Sequence, residues 1–235
     1  SMYAAVKCAQ KSGEFRLPRR KKFVILNQST LQGGVPRMKQ YPRMAALLLA
    51  LLLALGCTGC GEKLFYLTAR NTTQSAAEDA IARLRASDPR LALRSVTLTA
   101  KEKVCLHPDA EGHPACLPEL CPYANGYYER LKDALADLLD SAVPYDRAAL
   151  TETARRHRVC PFELGLDLSE WCDVVIGDYN YLFDPTVHLR RFFDAAGDYI
   201  FLIDEAHNLP DRARAMYSAR FCKSCLLYTS DAADD

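Results

Sequence analysis

No apolar stretch in the sequence is long enough to cross a bilayer. The run Met44–Leu55 has twelve residues, against the roughly 20 that a spanning helix needs. Net charge is also nearly absent, at +1, and charged residues make up an ordinary 25% beside 49% hydrophobics. That balance excludes disordered and fibrous classes and leaves a globular chain with room for one large domain or two small ones. No Gly-Lys pair occurs anywhere in the 235 residues, so the usual glycine-rich phosphate loop, which ends in a lysine, is missing. Cysteine is present but too sparse and uneven for a disulfide scaffold: ten residues, at 8, 57, 60, 105, 116, 121, 160, 172, 222 and 225. A reduced, cytoplasmic protein with a metal site accounts for them better.

The small net charge hides an asymmetry. Residues 1–43 carry ten Lys/Arg against the single acid Glu14, and the remainder is acidic, so the two parts do not read as one folded unit. Beyond residue 62 the pattern becomes regular. Leu64–Thr68, Ser95–Thr99, Asp173–Gly177 and Tyr199–Ile203 are short apolar runs rich in strand formers, and the last two are apolar throughout, as buried parallel strands require. Between them, Ser75–Glu78 has the form of a capping box, followed by Ala80, Ile81 and Leu84 on one helical face. Tyr127–Asp140 and Asp146–His157 read as further helices. Residues 105–125, with four prolines and three cysteines, read as an insertion. Strands alternating with helices predict an α/β fold around a parallel sheet.

Two groups of residues carry chemistry. Tyr199–Ile203 runs directly into Asp204-Glu205-Ala206-His207, which puts two acids at the carboxyl end of a buried strand, where α/β sheets bind ligands. Asp204 suits a Mg²⁺ ligand and Glu205 the base that orients a water on a γ-phosphate. Cys105, Cys116, Cys121 and Cys160 form a four-thiol set with ten, four and thirty-eight residues between them. Such a set suits a tetrahedral zinc or an iron–sulfur cluster, and spacing does not choose between them. Cys172, beside Trp171 at a strand start, reads as a small buried hydrophobe. Tyr127, Tyr128, Tyr179 and Tyr181 fit either base stacking or core packing. The remaining histidines, His107, His113, His157 and His188, read as surface or structural residues.

Asp204-Glu205-Ala206-His207 resembles motif II of superfamily-2 helicases. Together with Gly61–Arg70, Val104–Pro108, Cys160–Leu164 and Asp173–Pro185, it resembles the iron–sulfur DNA helicases of the XPD/DinG group, most closely the bacterial branch, over about residues 44–220. The resemblance implies a RecA-like first motor domain with a cysteine-rich insert, a 4Fe-4S cluster on Cys105, Cys116, Cys121 and Cys160, and an ATP-dependent 5′-to-3′ helicase as parent. It implies Mg²⁺ on Asp204, Glu205 as general base, and His207 as the link from nucleotide to DNA. It places single-stranded DNA contacts at Arg70, Thr72 and Thr73, where a strand-end loop with hydroxyls and a cation suits phosphate. The partners so implied are ATP and single-stranded DNA, with no membrane.

The expected organisation is a motor domain over 44–104 and 166–224, interrupted by a cluster insert over 105–165. Residues 1–43 stay unassigned, and 15–43 reads as frame-shifted or misassembled, because Tyr41-Pro42-Arg43 stands where the group has Gly-Lys-Thr. Residues 225–235 resemble the translation of a sequencing adapter, and Ser1 in place of Met fits a fragment or a cloning scar. Two other readings compete. One is a metal-bearing module that holds single-stranded DNA without hydrolysis. The other is a lipoprotein processed at Cys57, since Lys39 and Arg43 precede the apolar run as in a bacterial signal.

Overall fold

The computed structural model describes residues 22–26, 63–69, 71–87, 93–141, 144–194 and 197–218. Five strands form one wholly parallel sheet: β1 (Lys22–Leu26), β2 (Lys63–Thr68), β3 (Ser95–Thr97), β4 (Val174–Asp178) and β5 (Tyr199–Asp204), in the order β1-β5-β2-β4-β3. This is the expected α/β architecture. β1 is an addition, because it falls within the basic segment left unassigned from sequence. It pairs parallel to β5 with Leu26 opposite Asp204. The Met44–Leu55 run, Cys57 and the tail 225–235 lie outside the described residues.

The helices are α1 (Asn71–Ser87), α2 (Lys101–Val104), α3 (Tyr127–Asp140), α4 (Arg147–His157), α5 (Pro161–Leu168), α6 (Asn180–Phe183), α7 (Arg190–Phe193) and α8 (Leu209–Met216). α1 starts one turn earlier than the capping-box pattern suggests, so Ser75 is an exposed residue inside the helix. Glu78 is not turned back onto the helix start. It accepts a 2.5 Å hydrogen bond from the Thr97 hydroxyl and ties α1 to β3. α4 does carry its cap: Asp146 accepts from the Ala149 N–H at 2.9 Å, which satisfies one of the orphan donors of the first turn. α2 to α5 all fall between β3 and β4, which are neighbours in the sheet.

Strand side chains alternate between the two faces of a sheet, and both faces here are apolar. Leu64 and Tyr66 of β2, Val174 and Ile176 of β4, and Ile200 and Leu202 of β5 pack with Ala77, Ile81 and Leu84 of α1. On the opposite face Phe65 stacks on Phe201 at 5.4 Å and meets Phe192 and Phe193 of α7 at 5.4 and 5.2 Å. The β2 start is fixed by Lys63, whose ammonium donates to the carbonyls of Ser169 and Cys172.

The chain divides into two compact units. Leu17–Ala206 holds the sheet, and Ser1–Arg16 with His207–Asp235 forms the other, within which α8 lies. Among the described residues no helix is long and apolar enough to cross a membrane.

Candidate functional site

In a parallel sheet every strand delivers its carboxyl end to the same edge. Thr68, Asp178 and Asp204 therefore close one edge together: β2 pairs Thr68 with Asp178 and Leu67 with Ile203. Asp204 is half-buried and held through both oxygens. Oδ2 accepts from the Tyr66 hydroxyl at 2.9 Å, and Oδ1 accepts from the Glu205 backbone N–H at 2.8 Å. A carboxylate offers about four lone-pair sites, so each oxygen keeps acceptor capacity for a cation or its water. Burial, followed by the neighbouring Asp204, pushes the Tyr66 hydroxyl far above its ordinary value, so it stays a donor. Glu205 turns the chain out of the strand with φ of 50°, a left-handed backbone that non-glycine residues adopt at a cost of about 1–3 kcal/mol. His207 follows in the turn Ala206–Asn208.

The loop after β2 is less fully described. Thr73 sits half-buried in the first turn of α1, Thr72 belongs to that turn, and Arg70 lies outside the described residues. Three of the tyrosines open to two readings are core residues. Tyr127, Tyr179 and Tyr181 are buried, while Tyr128 is 85% exposed. Burial accounts for Tyr181 and Tyr127 both being pushed well above the ordinary tyrosine value.

The four cysteines of the insert arrive on three segments and line one cavity of about 220 Å³. Cys105 ends α2, Cys116 and Cys121 lie on the loop before α3, and Cys160 is the N-cap of α5. All four are free thiols, and so is the buried Cys172, whose thiol burial pushes up to about 12. Cys172 belongs to the core, as its place in the sequence suggests. Burial also raises the Cys160 thiol. Among the described residues no three His, Cys, Asp or Glu side chains converge closely enough to hold a single metal ion.

Polar side chains that sequence patterns did not single out tie the three segments together. Lys101 of α2 meets Glu163 of α5 at 3.2 Å. Burial opposes its charge, but the Glu163 hydrogen bond and charge outweigh that and hold the ammonium above its ordinary value. Asp167 of α5 accepts from the Tyr127 hydroxyl at 2.6 Å on one oxygen and from Arg191 of α7 at 2.7 Å on the other. The guanidinium of Arg130 in α3 donates to the carbonyls of Pro122, Asn125 and Arg158. No local spacing announces these contacts: most join residues 24 to 62 positions apart, and those of Arg130 with Pro122 and Asn125 are made across a turn.

A family profile described as DEAD_2 matches residues 69–226. The chain is 30% identical over 151 residues to the regulator of telomere elongation helicase 1 homolog of Anopheles gambiae, covering 61% of this chain and 14% of that protein. It is 24% identical over 119 residues to the human regulator of telomere elongation helicase 1, covering 48% of this chain and 10% of that protein. The Fanconi anemia group J protein homolog of Gallus gallus is 26% identical over 142 residues, covering 55% of this chain and 11% of that protein. The chain thus spans about a seventh or less of the curated relatives named here. Among solved structures it resembles a truncated XPD with a TM-score of 0.51 at 18% identity, over 87% of this chain and 51% of that one.

Proposed function

The chain belongs to the DEAD_2 family, as an XPD/DinG-type superfamily-2 helicase sequence, and from that premise we propose that its parent is an ATP-dependent DNA helicase working 5′-to-3′ on single-stranded DNA. The motor part comprises 44–104 and 166–224, and the insert 105–165. The observation that carries the reading is Asp204-Glu205 at the carboxyl end of the strand between β1 and β2, with Asp204 braced by Tyr66.

Glu205, directly after Asp204 at the end of β5, takes a proton from the attacking water. Asp204, oriented by Tyr66 and by the Glu205 N–H, would hold Mg²⁺, which supplies charge neutralisation on the ATP phosphates when bound. His207 would carry the response from nucleotide to DNA. Arg70, Thr72 and Thr73 follow β2 in sequence, Thr72 and Thr73 in the first turn of α1, and would contact single-strand phosphates.

Cys105, Cys116, Cys121 and Cys160 would hold a 4Fe-4S cluster, which supplies a covalent staple across the three insert segments. The donor set fits: four free thiols line one cavity. A single tetrahedral zinc draws its four sulfurs to within about 4 Å of one another. A four-iron cluster puts each thiolate on its own iron and spaces them wider. The likeness to iron–sulfur helicases, together with four free thiols on one cavity, favours the cluster.

Glu205→Gln in the full-length parent is the test. ATP turnover is expected to fall at least ~100-fold while nucleotide binding persists, because only the proton acceptor is removed. Turnover near that of the unaltered protein would overturn the assignment.

A further inference from the structure

Two of the four cysteines approach the cavity on segments that share no backbone pairing. Cys121 begins the turn Cys121–Gly126, which is closed by the Ala124 and Asn125 N–H groups donating to the Cys121 carbonyl at 3.0 and 2.9 Å. Cys160 follows Arg158, the left-handed C-cap of α4 with φ of 53°. That turn of backbone directs the Arg158 carbonyl toward α3. Arg130 spans the gap. Its Nε and Nη2 donate to the Arg158 carbonyl at 3.2 and 2.8 Å, and Nη2 reaches the Pro122 carbonyl at 3.2 Å and that of Asn125. Gly126, at φ of 63°, makes room for this: a Cβ there would sit 2.7 Å from an Arg130 nitrogen.

We propose that Arg130 is a positioning residue that sets the separation of Cys121 and Cys160, and so determines whether the four-thiol cavity accepts its metal cluster. The proposal rests on the cluster reading above. The chemistry is that of a rigid fork: one planar cation donates to carbonyls two residues before Cys160 and one and four residues after Cys121. A lysine ammonium, on a flexible stem and without that planar geometry, does not reproduce it. The pair Cys105–Cys160 depends on a different contact, Lys101 with Glu163, and serves as the internal reference.

The test uses the 235-residue chain, its R130Q variant and its R130K variant. Each metal-free protein is treated with a short bismaleimide, and cross-linked peptides are quantified by mass spectrometry. Iron and the absorbance near ~400 nm are measured on anaerobically purified samples. In R130Q the Cys121–Cys160 cross-link is expected to drop at least fivefold while Cys105–Cys160 stays within twofold, and iron per chain falls with the former. R130K, which keeps charge and stem, is expected to lose at least half of the Cys121–Cys160 yield. Unchanged cross-linking and iron in R130Q would overturn the proposal. So would equal loss of both pairs, which marks a general scaffold residue, and so would unchanged Cys121–Cys160 yield in R130K. If the unaltered chain gives both cross-links yet binds one zinc and no iron, the cluster reading fails, and the cross-link ratios still decide the role of Arg130.

Discussion

Single carboxylates in this protein are held in distinct ways, and the differences separate the candidate site from the scaffold. Asp204 spends one acceptor site per oxygen on Tyr66 and on the next backbone N–H, which orients it without using it up. Asp184 is spent locally. Its Oδ1 accepts from the Thr186 hydroxyl at 2.7 Å and from the Thr186 N–H at 2.9 Å. The Thr186 hydroxyl is the main reason its carboxyl lies below the ordinary 3.8. Because the folded value is depressed, the stabilisation is fully present above the unfolded value and is lost as pH falls through the folded one. Asp184→Ala is expected to cost at most about 1 kcal/mol at pH 7, since solvent screens this carboxylate. The gap between variant and unaltered protein should hold to pH 5 and close below about pH 4. Urea midpoints for the two proteins across that range check it. A gap independent of pH down to 3 would assign the cost to something other than the ionised carboxylate.

At the scale of elements, β2 shows how one short run builds both layers of the core. Leu64 and Tyr66 face α1, while Phe65 faces α7 and the aromatic side chains of β5. Phe65 is fully buried and touches four rings, those of Phe192, Phe193, Tyr199 and Phe201. Phe65→Ala is expected to cost about 3–5 kcal/mol, since the ring leaves a cavity that a strand paired on both sides does not collapse. Tyr128→Ala, at an 85% exposed position, should stay within about 0.5 kcal/mol. Urea unfolding of both variants makes the comparison. α1 carries a related lesson. Ser75 and Glu78 have the spacing of a capping box, yet the helix begins at Asn71 and Glu78 serves β3. A cap is worth about 1 kcal/mol, and helix start and tertiary contact are decided by larger sums than that.

For the whole molecule, the sheet order decides where ligand chemistry gathers. With all strands parallel, the ends of β1, β2, β4 and β5 emerge on one edge, and Leu26 stands opposite Asp204. The sequence has no Gly-Lys pair to end a phosphate loop. Holding a polyphosphate takes backbone amides at a helix start and a lysine. Tyr41-Pro42-Arg43 offers one cation, and Pro42 has no N–H to donate. The 235-residue chain by itself is expected to show no DNA-stimulated ATP hydrolysis and only feeble affinity for Mg-ATP. Calorimetric titration with Mg-ATP, beside phosphate release with and without single-stranded DNA, checks this. Micromolar binding with turnover would establish 15–43 as a working phosphate site.

The sequence by itself determined the period of each element and which strand ends in acids, because alternation, apolar runs and helical spacing are local properties of the chain. Four of the five strands, α3, α4 and the core placement of Cys172 were legible on that basis. β1 was not, since Lys22–Leu26 sits among basic residues and its strand character rests on pairing with β5. Nor did spacing reveal that Tyr66 braces Asp204, that Asp167 joins Tyr127 to Arg191, or that Arg130 bridges the turn after Cys121 to the approach to Cys160. The Tyr66–Asp204, Tyr127–Asp167, Asp167–Arg191 and Arg130–Arg158 contacts join residues 24 to 138 positions apart. Only the folded sheet and the packed insert bring such partners within hydrogen-bonding reach, and the hydrogen bond's short range leaves no periodic trace in the chain.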